Sequence, residues 1–241
     1  MTDSATPEIS VVIPVCNEEG NVIPLAREIA ASLQGTPFEI LFVDDGSTDG
    51  TAAAVLQARC EGIGEIRLLK HSFRSGQSAA VCSGVRAARA PWIATLDGDG
   101  QNNPADIPQL LNALKEGIEL VGGNRRHSRR DTWIKRVSSV IANGVRSWML
   151  QDNTPDTGCG LKLFSREAFL DLPYFDHMHR FLPALIKRRG GFIVSVPVSH
   201  RPRTHGHSNY GTIDRLLVGI VDLFGVAWLQ RRSKLPQINK D

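Results

Sequence analysis

Two closely spaced carboxylates, Asp97 and Asp99, stand in the glycine-rich segment DGDGQNNP, which follows the apolar run WIATL. If a strand formed by that run continued, both side chains would lie on one face, because strand side chains alternate with period two. Carboxylate oxygens in this arrangement suit Mg²⁺ or Mn²⁺, especially when substrate phosphates complete the coordination shell. Gly98 lets a bulky ligand approach the backbone. The segment therefore predicts a site for a divalent cation and a phosphorylated substrate.

An EF-hand calcium loop is a different interpretation of the same acidic segment. It would require glycine at position 102 and glutamate at position 108, where the sequence has Asn102 and Pro108. The EF-hand interpretation is therefore rejected.

A second acidic pair, Asp44 and Asp45, opens the segment DDGSTDGT after the apolar run EILFV. A turn with Asp49 as a helix cap accounts for Asp49 itself but less well for the adjacent pair. Carboxylates at this position suit the N–H groups of a nucleobase and the hydroxyls of ribose. After the first apolar run, Asn17 and Glu18 either meet a ligand or cap the next helix, and the sequence leaves both interpretations open.

Short β-branched runs alternate with helical patterns along the first half of the chain, which predicts an α/β fold with a mostly parallel sheet. Ligands of such sheets bind at the carboxyl ends of the strands, where the acidic segments fall. The predicted strands are 9–15, 39–43, 66–69, 92–96 and 119–122, and the predicted helices are 21–33, 51–60, 77–88 and 107–115.

The pattern changes after about residue 125. We expect helices at 164–172 and 178–188, a strand at 192–198, and two amphipathic helices at 131–150 and 212–232. The apolar stripes of these two helices, with basic neighbours, fit either an interfacial position on a membrane or packing against protein. The apolar run 216–229 is shorter than the roughly 20 residues that a spanning helix needs. We predict a catalytic domain at 1–211 and an amphipathic helix with a basic tail at 212–241.

Composition narrows the class of protein. The net charge of +3 and the pI near 8.8 lack the strong basic bias of a nucleic-acid binder. The four cysteines have no CxxC spacing, and the polar N-terminus has no apolar signal core, so we expect a cytoplasmic protein. The first strand is followed by CNEEGN rather than GxGxxG, which argues against a dinucleotide-binding dehydrogenase, and the P-loop pattern of nucleotidases is missing.

The segments VDDGSTDGT and DGDGQNNP resemble the donor site of the family 2 glycosyltransferases, whose fold is the Rossmann-like GT-A fold. The resemblance extends over roughly residues 9–211. It is closest to the dolichol-phosphate mannose synthase branch and its bacterial polyprenyl-phosphate relatives. The segments SGQSAA, DTGCGLKLFSR and RTHGHSNYG also resemble parts of that family.

The resemblance implies a role for each matched residue. The nucleoside and sugar donor would be held by Pro14, Asn17, Glu18, Asp44, Asp45, Asp97 and Gly98. The divalent ion, Mg²⁺ or Mn²⁺, would be held by Asp97, Asp99 and Gln101. Arg203 and Ser208 would lie on a loop that closes over the donor phosphates, and Arg125 would face the acceptor phosphate. Asp99, Arg203 and Arg125 are thus the expected catalytic residues.

The implied reaction is an inverting, metal-dependent transfer from GDP-mannose or a UDP-sugar to a dolichyl or polyprenyl phosphate, at the cytoplasmic surface of a membrane. The alternative is a family 2 enzyme that glycosylates a hydroxyl of a soluble or polysaccharide acceptor. A hydroxyl acceptor needs a general base, for which Asp152 and Asp156 are the first candidates. The sequence departs from the common family pattern at Lys162, where arginine is frequent, and at Asn209, where lysine is frequent.

Overall fold

The structure, a computed structural model, describes residues 6–63, 65–125, 144, 146–152, 154–202 and 212–232. Its centre is a seven-stranded sheet in the order β3-β2-β1-β4-β6-β5-β7. The strands are β1 (Ile9–Val15), β2 (Phe38–Asp44), β3 (Ile66–Lys70), β4 (Trp92–Thr95), β5 (Ile118–Asn124), β6 (Lys162–Ser165) and β7 (Phe192–Pro197).

The strand pairs are parallel except those that involve β6, which runs antiparallel to both β4 and β5. The mostly parallel α/β sheet expected from the sequence is therefore confirmed. The helices are α1 (Glu19–Ser32), α2 (Thr51–Cys60), α3 (Gln77–Ala87), α4 (Ile107–Asn112), α5 (Arg166–Leu170), α6 (Leu182–Arg188) and α7 (Thr212–Arg231).

Alternating side chains of the buried strands supply a separate core on each face of the sheet. In β1, Val11 and Ile13 belong to the core formed with α1, α2 and α4, whereas Val12 belongs to the core formed with α3, α5 and α6. This division follows from the period of two along a strand. Because helices cover both faces, polar groups of the central strands reach solvent mainly at the strand ends.

The strand β6 is the main difference from the expected fold. The segment 164–172 was expected to be one helix, but Lys162–Ser165 is a strand and the helix begins at Arg166. Leu163 and Phe164 are both buried because the sheet is covered on both faces, so the strand shows no polar alternation. A four-residue strand of this kind carries no periodic signal of its own.

Two other boundaries matter for the site. Strand β4 ends at Thr95, one residue before the predicted end, so Asp97 and Asp99 lie in a turn rather than on a continuing strand. The predicted helix 178–188 divides into a 3-10 turn at Met178–Arg180 and α6, which begins at Leu182.

The long helix α7 packs on α6 and also exposes an apolar face. Val226 is buried, the Gln230 side chain donates to the carbonyl of Leu150 at 2.9 Å, and Arg188 Nε donates to the carbonyl of Leu229 at 3.0 Å. Its exposed apolar residues are Val218, Ile220, Val221, Phe224 and Trp228. Across the described residues, no helix has both the length and the apolar character needed to cross a membrane.

Candidate active site

The ends of β1, β2 and β4 meet at one edge of the sheet because these strands are parallel neighbours. Val15 at the end of β1 pairs with Asp44 at the end of β2. The turn after β4 presses against the end of β1: a β-carbon at Gly98 would lie 2.7 Å from Val15 Cγ1 and 3.0 Å from the carbonyl oxygen of Pro14. The residues predicted from three separate strand ends therefore lie along one edge.

Asp44 is buried, and its two oxygens have different environments. The backbone N–H of Ser47 donates to Oδ1 at 2.9 Å. Oδ2 is buried and has no hydrogen-bond partner among the described residues. An unsatisfied buried carboxylate oxygen is costly, and a ligand N–H or O–H at this position would remove that cost.

Asp45 is also buried, but both of its oxygens are engaged. The backbone N–H groups of Ser75 and Gly76 donate to Oδ1 and Oδ2, each at 2.8 Å. His71 Nδ1 lies 2.7 Å from Oδ1. This carboxylate therefore ties the end of β2 to the loop that leads into α3.

Asn17 and Glu18 connect the β1 end to the loop after β2. Asn17 has a left-handed backbone with φ of 58°, and its Oδ1 accepts from the backbone N–H of Thr48 at 2.8 Å. The backbone N–H of Glu18 donates to Thr51 Oγ1 at 2.8 Å. Asp49 accepts from the backbone N–H of Thr51 at 3.0 Å, but the N-cap of α2 is Gly50 and has no side-chain cap bond, so the predicted cap at Asp49 lies one residue too early.

Asp97 and Asp99 form the acidic centre of this edge. Gln77 Nε2, from the first residue of α3, donates to Asp97 Oδ1 at 2.9 Å. Asn102 Oδ1 accepts from the backbone N–H of Asp97 at 3.1 Å, and the N–H of Gln101 donates to Asp99 Oδ1 at 3.0 Å. These bonds fold the turn back on itself and hold the two carboxylates at its start.

The electrostatics of this turn favour a bound cation. Burial raises the pKa of Asp97, and the negative charge of Asp99 raises it further, although Lys162, Arg125 and the Gln77 bond act in the opposite direction. The buried Lys162 donates to the carbonyl of Cys159, and burial lowers the pKa of its ammonium group. A buried carboxylate beside a second acidic group gains most when a positive ligand binds next to it.

The residues present fit a divalent ion that shares its coordination with a substrate. No group of three or more His, Cys, Asp or Glu side chains suited to a metal occurs in the part of the chain that the structure describes. A metal site built from three or more such side chains is therefore lacking in those residues. Two carboxylates with room for phosphate oxygens are the usual arrangement for Mg²⁺ held together with a nucleotide.

A cationic group lies beside the acidic turn, at the end of β5. Arg125 Nε and Nη2 donate to the two oxygens of Asp156 at 2.9 and 3.0 Å, and the backbone N–H of Arg125 donates to Asp156 Oδ2 at 3.1 Å. Burial alone would lower the pKa of Arg125, but the bonds to Asp156 raise it, so the guanidinium stays charged. A similar pair joins Arg146 to Asp152 at 2.8 Å.

The segment after β7 runs alongside the acidic turn. The backbone N–H of Arg201 donates to the carbonyl of Gln101 at 3.0 Å, and Asn102 forms a β-bridge with His200. Ser199 is held by Asp106 Oδ2, to which its hydroxyl donates at 2.7 Å. Residues 203–211 follow directly, so the predicted loop residues Arg203 and Ser208 lie outside the described residues.

Three contacts of the site had not been predicted: the bond from Gln77 to Asp97, the pairing of Arg125 with Asp156, and the approach of Gly160 to Asp97. The third had a signal in the sequence. Gly160 stands beside the noted position Lys162, and a β-carbon at Gly160 would lie 2.2 Å from Asp97 Oδ2. A glycine there indicates a close approach to a functional side chain.

Residues 10–172 match the family described as Glycosyl transferase family 2. The chain belongs to this family. It is 34% identical over 238 residues to dodecaprenyl-phosphate galacturonate synthase of Rhizobium johnstonii, across 95% of this chain and 69% of that protein. It is 31% identical over 214 residues to undecaprenyl-phosphate 4-deoxy-4-formamido-L-arabinose transferase of Edwardsiella ictaluri, across 88% of this chain and 66% of the relative. The glycosyltransferase thus spans about two thirds of the length of these relatives.

Solved structures agree on the fold of this glycosyltransferase. Glucosyl-3-phosphoglycerate synthase from Mycobacterium tuberculosis, in complex with Mn²⁺, UDP and phosphoglyceric acid, superposes with a TM-score of 0.71 at 21% identity, over 97% of this chain and 81% of that one. The same enzyme with Mg²⁺ and UDP gives a TM-score of 0.69 at 20% identity, over 97% and 82% of the two chains. The GT-A-like architecture expected from the sequence is therefore confirmed.

Proposed function

We propose that this glycosyltransferase moves a sugar from a UDP- or GDP-sugar to a polyprenyl phosphate with inversion at the anomeric carbon. The bond between the anomeric carbon and the β-phosphate oxygen breaks, and its electron pair leaves with the nucleoside diphosphate. A phosphate oxygen of the lipid forms the new bond. The names of the two bacterial relatives, a dodecaprenyl-phosphate and an undecaprenyl-phosphate sugar transferase, support this choice of acceptor.

The donor half of the proposal assigns the nucleoside to the β1 and β2 ends. Asp44 Oδ2, buried and without a described partner, is suited to accept an N–H of uracil or guanine, while Pro14, Asn17 and Glu18 line the adjoining chain. Asp45 stabilises this region through the hydrogen bonds that it accepts from the 71–76 loop. Gly98 is assigned to the donor by its position in the turn after β4, which the glycine allows to pack closely against Pro14 and Val15.

The diphosphate is assigned to the acidic turn, where Asp97, Asp99 and Gln101 would hold Mg²⁺ or Mn²⁺. A divalent ion there supplies positive charge that stabilises the departing nucleoside diphosphate. Arg203 and Ser208 are assigned to the same phosphates, because the chain enters residues 203–211 directly after the bond between Arg201 and Gln101. In this assignment the chain's own groups orient the donor while the acceptor attacks from the opposite side.

The choice of a phosphate acceptor rests on two carboxylates that are already paired with arginines. Asp156 and Asp152 are the candidate bases for a hydroxyl acceptor, and each is bound to an arginine, Arg125 and Arg146 respectively. A general base needs a lone pair directed at the proton that it removes. A phosphate monoester is already ionised near neutral pH, so it needs orientation by a cation such as Arg125 and no base.

We further propose that the apolar face of α7 rests on the membrane surface that holds the lipid acceptor. Val218, Val221, Phe224 and Trp228 are exposed at helical spacing, and the Arg232 guanidinium lies 5.7 Å from the Trp228 ring centroid. An apolar stripe next to a basic end is typical of helices in the interface plane. The opposite side of α7 packs on α6, so this helix would join the catalytic core to the bilayer.

A labelled-sugar assay tests the transfer reaction. The full chain is incubated with a radiolabelled UDP- or GDP-sugar, Mn²⁺ and undecaprenyl phosphate in detergent, and label is measured in the organic phase. We expect an acid-labile lipid product that Asp99→Ala abolishes without changing the circular dichroism spectrum. Label that enters a water-soluble acceptor and never the lipid would favour the hydroxyl-transferring alternative.

Vesicle sedimentation tests the membrane assignment. Phe224→Asp should reduce binding to anionic phosphatidylglycerol vesicles at low salt, because it places a charge within the apolar face. Leu56→Asp is the matched control, since Leu56 is half exposed on the remote helix α2. Equal binding of the two variants and the unaltered protein would remove α7 from the membrane contact.

A further inference from the structure

The loop from His71 to Gly76 joins the two halves of the donor site. We propose that Asp45 acts as a positioning residue that fixes this loop, so that Gln77 holds Asp97 in the orientation that a cation requires. The inference rests on the proposed function, because it concerns how the site receives its metal and diphosphate. It gives Asp45 a task other than direct contact with the nucleoside.

The loop is held to Asp45 from two sides. Ser75 and Gly76 bind the carboxylate through their backbone N–H groups, each at 2.8 Å, so the contacts do not depend on their side chains. His71 reaches the same carboxylate at 2.7 Å and reaches Ser83 Oγ of α3 at 2.9 Å with its other ring nitrogen. The loop and the helix therefore share one anchor at the end of β2.

The loop also lies tightly against the chain next to Asp45. A β-carbon at Gly46 would lie 2.7 Å from the backbone nitrogen of Arg74 and 2.9 Å from the carbonyl carbon of Phe73. Gly46 itself has a φ of 72°, a conformation that favours glycine. Only glycine at position 46 therefore allows the backbone of the loop to lie this close to the chain after Asp45.

Gly76 sets the direction in which α3 begins. Gly76 has a φ of 93°, so the chain turns at the residue whose backbone N–H donates to Asp45 Oδ2. Gln77, the next residue, is the first of the helix. From there Gln77 Nε2 donates to Asp97 Oδ1 at 2.9 Å. The orientation of the Gln77 side chain thus follows from the backbone that Asp45 holds.

The other oxygen of Asp97 is confined by the opposite wall. Oδ2 is the atom that a β-carbon at Gly160 would approach to 2.2 Å, so it has little room on that side. With Oδ1 held by Gln77, rotation of the carboxylate is restricted. Groups that orient a metal-binding carboxylate in this way commonly contribute 10–100-fold to metal affinity.

Metal affinity, measured apart from turnover, tests the proposal. Electron paramagnetic resonance of free Mn²⁺ gives the Mn²⁺ dissociation constant in the presence of UDP, with GDP in parallel. We expect Gln77→Met, which keeps the size and the helix but removes the donor, to weaken Mn²⁺ binding by about 10–100-fold. Binding of the nucleotide without Mn²⁺ should be unchanged, a separation that general loss of structure would not produce.

A double-mutant cycle tests whether Asp45 acts through Gln77. Asp45→Asn should weaken Mn²⁺ binding in the unaltered chain and have no further effect in the Gln77→Met chain. Asp49→Asn is the matched control, since Asp49 binds the backbone N–H of Thr51 in the neighbouring loop and should leave Mn²⁺ binding unchanged. If Asp45→Asn prevents folding, His71→Phe, which removes one of the contacts between Asp45 and the loop, takes its place in the cycle with the same expected result.

The outcomes separate this proposal from the proposed function. Unchanged Mn²⁺ affinity in Gln77→Met, with normal binding by the unaltered chain, overturns the positioning role and leaves the transfer reaction standing. Additive losses in the cycle overturn the role of Asp45. An unaltered chain that binds no Mn²⁺ with either nucleotide overturns both the positioning role and the metal site.

Discussion

Gly160 and Asp97 approach each other so closely that a β-carbon on the glycine would lie 2.2 Å from the carboxylate oxygen Oδ2 and 2.4 Å from the carboxyl carbon. The contact links two segments that lie far apart in the sequence. Gly160 precedes β6, Asp97 follows β4, and these strands are antiparallel neighbours. Gly160 therefore limits the space available to the Asp97 carboxylate on the side of β6.

A methyl group at Gly160 should displace Asp97 and weaken metal binding. We expect Gly160→Ala to lower transfer and to reduce the Mn²⁺-induced rise in melting temperature, because the carboxylate must rotate away from its present position. The matched control is Gly158→Ala, where the added carbon would lie 3.5 Å from Arg125 Nη2, an ordinary contact distance. Equal effects of the two substitutions would show that the approach of Gly160 has no special importance.

The acidic turn should cost stability when no cation is bound. The pKa of Asp97 is raised by burial and by Asp99, so ionisation of this carboxyl costs more in the folded state than in the unfolded chain. Asp97→Asn should therefore raise the melting temperature in EDTA by about 2–4 °C, the shift that roughly 1 kcal/mol produces in a chain of this size.

The difference in melting temperature between Asp97→Asn and the unaltered chain should reverse its sign when a metal ion is bound. In Mn²⁺ and nucleoside diphosphate the unaltered chain gains binding energy that Asp97→Asn has lost, so it should melt at the higher temperature. Differential scanning fluorimetry with and without EDTA measures both cases. A variant less stable than the unaltered chain in EDTA would contradict the prediction.

Arg125 should contribute through its geometry as well as its charge. Lysine keeps the charge but cannot bind both oxygens of Asp156 in parallel. We expect Arg125→Lys to lower kcat/KM for the lipid phosphate by about 10–100-fold, the range for loss of a charged hydrogen bond.

The nucleotide affinity of Arg125→Lys, measured by calorimetry, should stay unchanged, because the proposal places Arg125 on the acceptor side. Arg189→Lys provides a comparison, since Arg189 pairs with Glu119 and Asp171 at the opposite end of β5. Equal loss of donor and acceptor affinity in Arg125→Lys would contradict an acceptor role.

The buried Glu39 should stabilise the fold above mildly acidic pH. Burial alone would raise its pKa, but bonds from Arg89, Arg67 and Ser10 outweigh burial and hold the pKa below its ordinary value of 4.5. A depressed pKa gives stability that is present above the unfolded value and is lost as the pH falls through the folded one.

Glu39→Gln should therefore lower the free energy of unfolding by about 1–3 kcal/mol near neutral pH, because the charged hydrogen bonds are weakened. The difference from the unaltered chain should shrink as the pH falls below 4.5, where the unfolded carboxyl becomes protonated. Urea titrations across that range measure it. A difference in the free energy of unfolding that stays constant with pH would exclude the ionised Glu39 carboxylate as its cause.

The sequence predicted the strands of the first half of the chain, and the acidic segments at their ends, well because each signal there is local. The β-branched run at Ile9–Val15 and the acidic residues after β2 and β4 needed no knowledge of distant contacts. The reasoning about Asp97 and Asp99 was partly wrong, since the strand stops at Thr95 and a turn holds them instead. The residue types were informative even where the assumed backbone was not.

Contacts between distant segments could not be predicted in the same way. The Gln77 bond to Asp97 depends on a loop anchored by Asp45, and nothing in the local pattern of α3 indicates it. The pairing of Arg125 with Asp156 joins residues 31 positions apart. Strand β6 escaped prediction because its neighbours β4 and β5, rather than its own composition, determine its conformation.

The reversed direction of β6 has a consequence for divergence among such enzymes. The chain leaves the sheet at the end of β5 and returns at Lys162, which pairs with Gly122 of that same strand. Whatever lies between these points departs from and re-enters one edge, so its length can change without shifting the register of any strand. If Arg125 faces the acceptor as proposed, changes between residues 125 and 156 can alter acceptor choice, whereas Gly160 must be kept because it lies against Asp97.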